Sequence, residues 1–224
     1  MLGFGRSGGS RSVRAKASGG SASPFPVTPK ILFDRPKRDY RGYIFDCDGT
    51  LADSMPLHHE AWRAALSAHG ARFDFDWPLF TRRAGMTIEA TVEELNLEFG
   101  ESLDPVSVAE RQRAEYEARI PNVRPLAPVV EFLREMAGRR PVSVASGSTF
   151  LHVQRTLAAI GVLELVPIIV TAADVPRGKP FPDLFLLAAE RMGLPPRECV
   201  VFEDAEFGML AAERAGMDAV RVSG

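Results

Sequence analysis

Tyr43-Ile44-Phe45-Asp46-Cys47-Asp48-Gly49-Thr50-Leu51 opens as an apolar run and breaks off in two acids and a glycine. Such a run, bounded by a turn residue, reads as a buried strand, and Gly49 lets the chain turn sharply beyond it. Side chains two apart on an extended backbone point the same way, so Asp46 and Asp48 are expected to bring two carboxylates together at the strand's mouth. Further apolar runs follow at 142–145, 168–170, 200–202 and 219–222. Helical patterns fit between several of them: one capped by Ser148 or Thr149 and reaching Gly161, one from Asp183 to Gly193, and one from Glu206 or Phe207 to Gly216. This alternation predicts an α/β fold, a Rossmann-like parallel sheet flanked by helices.

The strand rhythm stops between about residue 54 and residue 122. The spacings of Ala61, Trp62, Ala65 and Leu66, then of Ile88, Val92, Leu95 and Leu97, and the charged stretch 106–120 predict helices instead. An insert that leaves from the C-terminal end of a strand sits above the edge where open α/β sheets bind ligands. The expected organisation is a basic tail at 1–37, an α/β core at 38–53 and 123–224, and a small helical cap at 54–122.

The first 41 residues carry nine Lys or Arg against Asp34 and Asp39, so a net charge of −2 conceals about −9 on the remainder. Rich in Gly, Ser, Pro and Arg, the tail has too little apolar surface to offset the entropy of ordering and is expected to be disordered. A transit peptide is the alternative reading, weakened by the lack of an amphipathic helix. Gly3-Phe4-Gly5-Arg6-Ser7-Gly8 fits a dinucleotide-binding glycine pattern, but no strand precedes it. Nothing approaches the roughly 20 apolar residues of a membrane-spanning helix. Cys47 and Cys199, the two cysteines, lack metal-ligand spacing and read as buried residues of a reducing, cytoplasmic compartment.

A second acidic pair, Glu203-Asp204, ends the 200–202 run. Carboxylates gathered from neighbouring strands repel by about 4 kcal/mol per pair at 4 Å and an effective dielectric of 20, so a cation belongs among them. An oxygen-only ligand set suits Mg2+. Lys179, in the stiff run Gly178-Lys179-Pro180-Phe181-Pro182-Asp183, can supply a fixed positive charge before Asp183 caps the next helix. Ser146 and Gly147, at the end of the 142–145 run, offer a hydroxyl and main-chain N–H groups suited to phosphate, whereas Ser148 and Thr149 read as helix caps.

Asp-x-Asp-Gly-Thr, a strand-end Ser, Gly-Lys-Pro-x-Pro-Asp, and Glu-Asp with a Gly four residues on occur here in the order that resembles the haloacid dehalogenase superfamily, over residues 40–224. Within it the chain is similar to the branch with a small helical cap, which holds β-phosphoglucomutase and sugar-phosphate phosphatases. Residues 53–58 with Ala61-Trp62, and residues 201–208, resemble in particular bacterial fructose-1-phosphate phosphatases. The resemblance implies Asp46 as nucleophile, Asp48 as general acid and then base, and Lys179 with Ser146 on the phosphoryl oxygens. It also implies Mg2+ held by Asp46, the Asp48 main-chain carbonyl and Asp204, with Glu203 close by, and His58 at the cap hinge near Asp48 or substrate.

Two departures bear on substrate and metal. Gly85-Met86-Thr87 is followed by Ile88 and Glu89 where the mutase places an arginine for a second phosphate, and Arg82 and Arg83 lie out of register. Ala205 replaces the usual Ser or Thr after the acidic pair. The expected function is a monomeric, Mg2+-dependent phosphatase of a small, sugar-like phosphate ester, with no nucleic-acid or membrane partner. The alternatives are a phosphomutase and a non-catalytic phospho-ligand module. A dehalogenase would dispense with the second acid, Asp48.

Overall fold

A computed structural model describes residues 33–83 and 86–223. The glycine pattern near the N-terminus, most of the expected tail, and Gly85 lie outside these residues. Of the last five residues of that tail, Phe33 and Arg35 make contacts with the core. Phe33 sets its ring edge-on against Phe132 and Phe202, with centroids 5.7 and 5.8 Å away, and Arg35 pairs with Glu135.

Five parallel strands form the main sheet: β1 (Gly42–Phe45), β4 (Val142–Ser146), β5 (Ile168–Thr171), β6 (Cys199–Glu203) and β7 (Asp218–Arg221), in the order β5-β4-β1-β6-β7. A second, two-stranded ribbon pairs β2 (Ala52–Asp53) antiparallel with β3 (Arg124–Pro125). Four helices clothe the sheet: α5 (Ala127–Ala137), α6 (Phe150–Ala159), α7 (Asp183–Arg191) and α8 (Glu206–Arg214).

The strands alternate between two cores, as a sheet covered on both faces requires. Tyr43, Phe45, Val142, Val144, Val200 and Phe202 pack with α5 and α6, and Ile44, Ala145, Val201 and Cys199 with α7 and α8. Sequence periodicity left α5 unassigned, although Val129, Val130, Leu133 and Met136 give it a continuous buried stripe. Thr149, not Ser148, caps α6 by accepting from the His152 N–H at 3.4 Å. Asp183 is not a cap. It is the first residue of α7 after Pro182, and its carboxylate takes the Arg177 guanidinium at 2.8 and 3.0 Å.

Between β2 and β3 lie α1 (Met55–Ala68), α2 (Trp77–Thr81), α3 (Ile88–Phe99) and α4 (Pro105–Arg119). They have a core of their own, in which Trp62, Leu66, Phe75, Phe80, Val92 and Leu95 meet. Asp76, Thr87 and Asp104 cap α2, α3 and α4 through their side chains. Leu97, expected on the buried stripe of α3, is 87% exposed. Positions 88, 92 and 95 follow a spacing of four and three, and two further steps of about 100° carry Leu97 to the far side of the helix.

Candidate active site

Alternation places the first two acids. Asp46 shares the parity of Ile44 and Glu203 that of Val201, so both carboxylates emerge on the α7–α8 side of the sheet. The ladder runs one residue beyond β1, since the Asp46 N–H donates to the Phe202 carbonyl at 2.9 Å. Lys179, in the loop before α7, bridges the pair: its Nζ lies 2.6 Å from Asp46 Oδ1 and 2.6 Å from Glu203 Oε1. Burial pulls the Lys179 pKa down, but the Asp46 and Glu203 charges more than reverse this and hold it above the usual lysine range.

Glu203 is 1% exposed and fully engaged, its second oxygen accepting the Ala205 N–H at 2.7 Å. Gly208 makes room for it. A Cβ at 208 would stand 1.7 Å from Glu203 Oε1. Asp204, which accepts from Thr50 Oγ1 at 3.2 Å, closes against Gly49. Gly49 has φ +83°, and a Cβ there would fall 2.3 Å from Asp204 Oδ2, so only glycine allows both the turn and the approach.

Oxygens of Asp46, Glu203 and Asp204 lie within 4.8 Å of one another. Burial, opposed by Lys179 and reinforced by Glu203 and Asp204, pushes the Asp46 carboxyl well up. Burial and the neighbouring Glu203 raise Asp204 to about 6. Two buried carboxylates and a half-buried one share a single lysine, and an oxygen-only set of this kind fits a hard dication such as Mg2+.

Asp48 goes elsewhere. Strand geometry ends at Phe45, and residues 47–52 curl into a tight loop, with the Leu51 and Ala52 N–H groups both donating to the Cys47 carbonyl. The expectation that Asp46 and Asp48 share one direction therefore fails at the turn. The Asp48 carboxylate accepts from Ser148 Oγ at 3.0 Å, lies 3.1 and 3.3 Å from His152 Nε2, and accepts from Tyr116 Oη at 3.4 Å. Burial pushes its pKa up, but the His152 hydrogen bond and charge, with a contribution from His58, hold it below the ordinary carboxylate range. Its candidacy as a metal ligand thus rests on the main-chain carbonyl, not on the side chain.

Ser146, 2% exposed, accepts the Ser148 N–H at 3.1 Å beside Gly147. His58 stacks on Tyr116 with centroids 3.7 Å apart, and burial depresses its pKa to about 4. Ser148 was read from sequence as a cap, while Tyr116 and His152 were not singled out. His152, in the first turn of the helix that follows Ser146, was the available signal; Tyr116, 68 residues from Asp48, carried none. Cys47 and Cys199 are buried thiols, the first raised well above its ordinary value and the second to about 11, mainly by burial.

The haloacid dehalogenase-like hydrolase profile matches residues 40–216. The chain is 41% identical to fructose-1-phosphate phosphatase YqaB of Escherichia coli over 82% of this chain and 96% of that protein. It is 29% identical to β-phosphoglucomutase of Bacillus subtilis, over 81% and 83% of the two chains. The fold is that of CbbY from Rhodobacter sphaeroides solved with phosphate, with TM-score 0.69 and 21% identity over 80% of this chain and 84% of that one. With Asp46, Glu203 and Asp204 gathered around a bridging lysine at one sheet edge and the profile spanning most of its length, the chain belongs to the haloacid dehalogenase-like hydrolases.

Proposed function

We propose that the protein is a Mg2+-dependent phosphatase of small phosphorylated sugars that works through an aspartyl-phosphate on Asp46. The reading is carried by one observation: Lys179 Nζ at 2.6 Å from both Asp46 and Glu203, beside Asp204. Lys179 opposes the burial penalty on the Asp46 carboxylate and stands where phosphoryl oxygens would arrive. Asp46, Asp204 and the Asp48 carbonyl would hold the metal, which when bound neutralises phosphoryl charge.

An Asp46 oxygen attacks phosphorus while the bond from phosphorus to the ester oxygen breaks, and Asp48, which must first load a proton from solvent because its pKa is held low in the free protein, delivers it to the departing alkoxide. Asp48, now a carboxylate, takes a proton from the water that attacks phosphorus. The Asp46–phosphorus bond then breaks, inorganic phosphate leaves, and both side chains return to their starting states. Ser146 and the main-chain N–H groups at Gly147 hold the phosphoryl oxygens.

The mutase alternative asks for a cap cation free to take a second phosphate. Arg83 is spent inside the cap: its side chain is 8% exposed, pairs with Glu98 and Glu94, and donates to the Leu79 carbonyl. Arg82 faces Glu98 as well. This, with the phosphatase relative at 41% identity, favours hydrolysis.

A phosphate-release screen over sugar and sugar-alcohol phosphates tests the proposal. Wild type should release phosphate only with Mg2+, and Asp46→Asn should lower the rate by at least ~10³-fold. Equal release by wild type and variant would overturn the mechanism. Exchange of phosphate between positions of a bound sugar, with none released, would establish the mutase instead.

A further inference from the structure

The group around Asp48 crosses from core to cap. His152 comes from the first turn of α6 and Ser148 from the loop before it, both in the core, and His58 and Tyr116 from α1 and α4 above it. Tyr116 stacks against both imidazoles, 3.7 Å from His58 and 4.8 Å from His152, each pair within 8° of parallel. Tyr116 is 2% exposed and the His152 side chain 12%, so the contact is packed rather than incidental. Thr149 fixes the first turn of α6 through the His152 N–H, and that turn aims the imidazole at Asp48.

Asp48, His58 and His152 have ligand atoms within 4.8 Å of one another, the composition of a two-histidine, one-carboxylate metal site. The contacts already made argue against that use. His152 Nε2 lies against the Asp48 carboxylate itself, 3.1 Å from Oδ2, and His58 is stacked on Tyr116. What the geometry does serve is the carboxylate, which has donors on both oxygens.

We propose that His152 is a positioning residue: with Ser148 and the cap's Tyr116 it holds the Asp48 carboxylate in place, registering the acid–base group to core and cap together. The inference rests on the phosphatase reading above and adds the residue through which Asp48 acts. Because Asp48 protonates the leaving oxygen, the contribution of His152 scales with how much that oxygen needs a proton. A sugar alkoxide needs one, and a nitrophenolate leaves without it.

The test compares kcat/KM of wild type, His152→Ala and His152→Gln on p-nitrophenyl phosphate and on the sugar phosphate that wild type hydrolyses fastest. This parameter reports the steps through departure of the leaving group. His152→Ala should lose roughly 10- to 100-fold on the sugar phosphate, at or below the ~10²- to 10⁴-fold that a positioned proton donor supplies in full, and under about 3-fold on p-nitrophenyl phosphate. His152→Gln, which keeps an N–H donor, should recover part of the loss, and it carries the comparison if the alanine variant melts early. Equal losses on both substrates, or none on either, overturn the positioning role. Wild type inactive on both would instead overturn the phosphatase reading, and the inference with it.

Discussion

Lys179 answers two buried carboxylates at once, and its removal is the residue-scale experiment with the clearest energetic sign. Lys179→Met leaves Asp46 and Glu203 without their cation inside the protein. Breaking a buried pair in this way costs on the order of 3–5 kcal/mol, read as a lower urea midpoint with an unchanged slope. Gly208→Ala makes a steric case: its new Cβ overlaps Glu203, which must move and loosen Lys179 in turn. Overpacking of this kind costs about 1–3 kcal/mol, and because the displaced group orients Lys179, phosphate release should fall much further than stability does. Activity near wild type in Gly208→Ala would mean that the Glu203–Lys179 contact is dispensable. The glycine motifs were visible in the sequence at this scale, but which atom each glycine admits became visible only when Glu203 and Asp204 were folded against them.

At the scale of elements, α3 separates a periodic pattern from a merely apolar one. Leu95 is fully buried in the cap core and Leu97 almost fully exposed on the same helix. Leu95→Ala should cost about 2–5 kcal/mol and Leu97→Ala within about 0.5 kcal/mol, both measured by thermal or urea unfolding. A similar cost for the two would mean that the cap buries a different face of α3. The β2–β3 ribbon is the element that sequence could not supply, because each strand is two residues long and neither is apolar throughout. It ties the point where the chain enters the helical insert to the point where it returns, and so fixes where α1 and α4 bring His58 and Tyr116.

For the molecule as a whole, the three carboxylates on one edge of the sheet that could hold a metal ion predict that a dication stabilises the fold. Mg2+ in excess of its dissociation constant should raise the melting temperature by binding the folded state alone; a hundredfold excess is worth about 2.7 kcal/mol. Asp204→Asn should abolish most of that rise while leaving the metal-free melting temperature close to wild type or above it, since a raised carboxyl pKa marks an unfavourable buried charge. A rise of equal size in wild type and variant would place the metal elsewhere. Among the described residues no helix is long and apolar enough to cross a membrane. The α/β class, the helical insert and the acids at 46, 48, 203 and 204 were legible from sequence, because strand runs, helix spacing and motif chemistry are local properties of the chain. Sequence also joined Asp48 to Asp46 by strand alternation, and this failed because the ladder gives out at Asp46 and the chain turns before Asp48. Which groups the turn then carries Asp48 to meet, at separations of 68 to 104 residues, depended on how α4 and α6 pack around it. The chain alone determined which chemistry it carries; only tertiary packing decided the partners of each carboxylate, because contacts between distant segments have no local sequence signal.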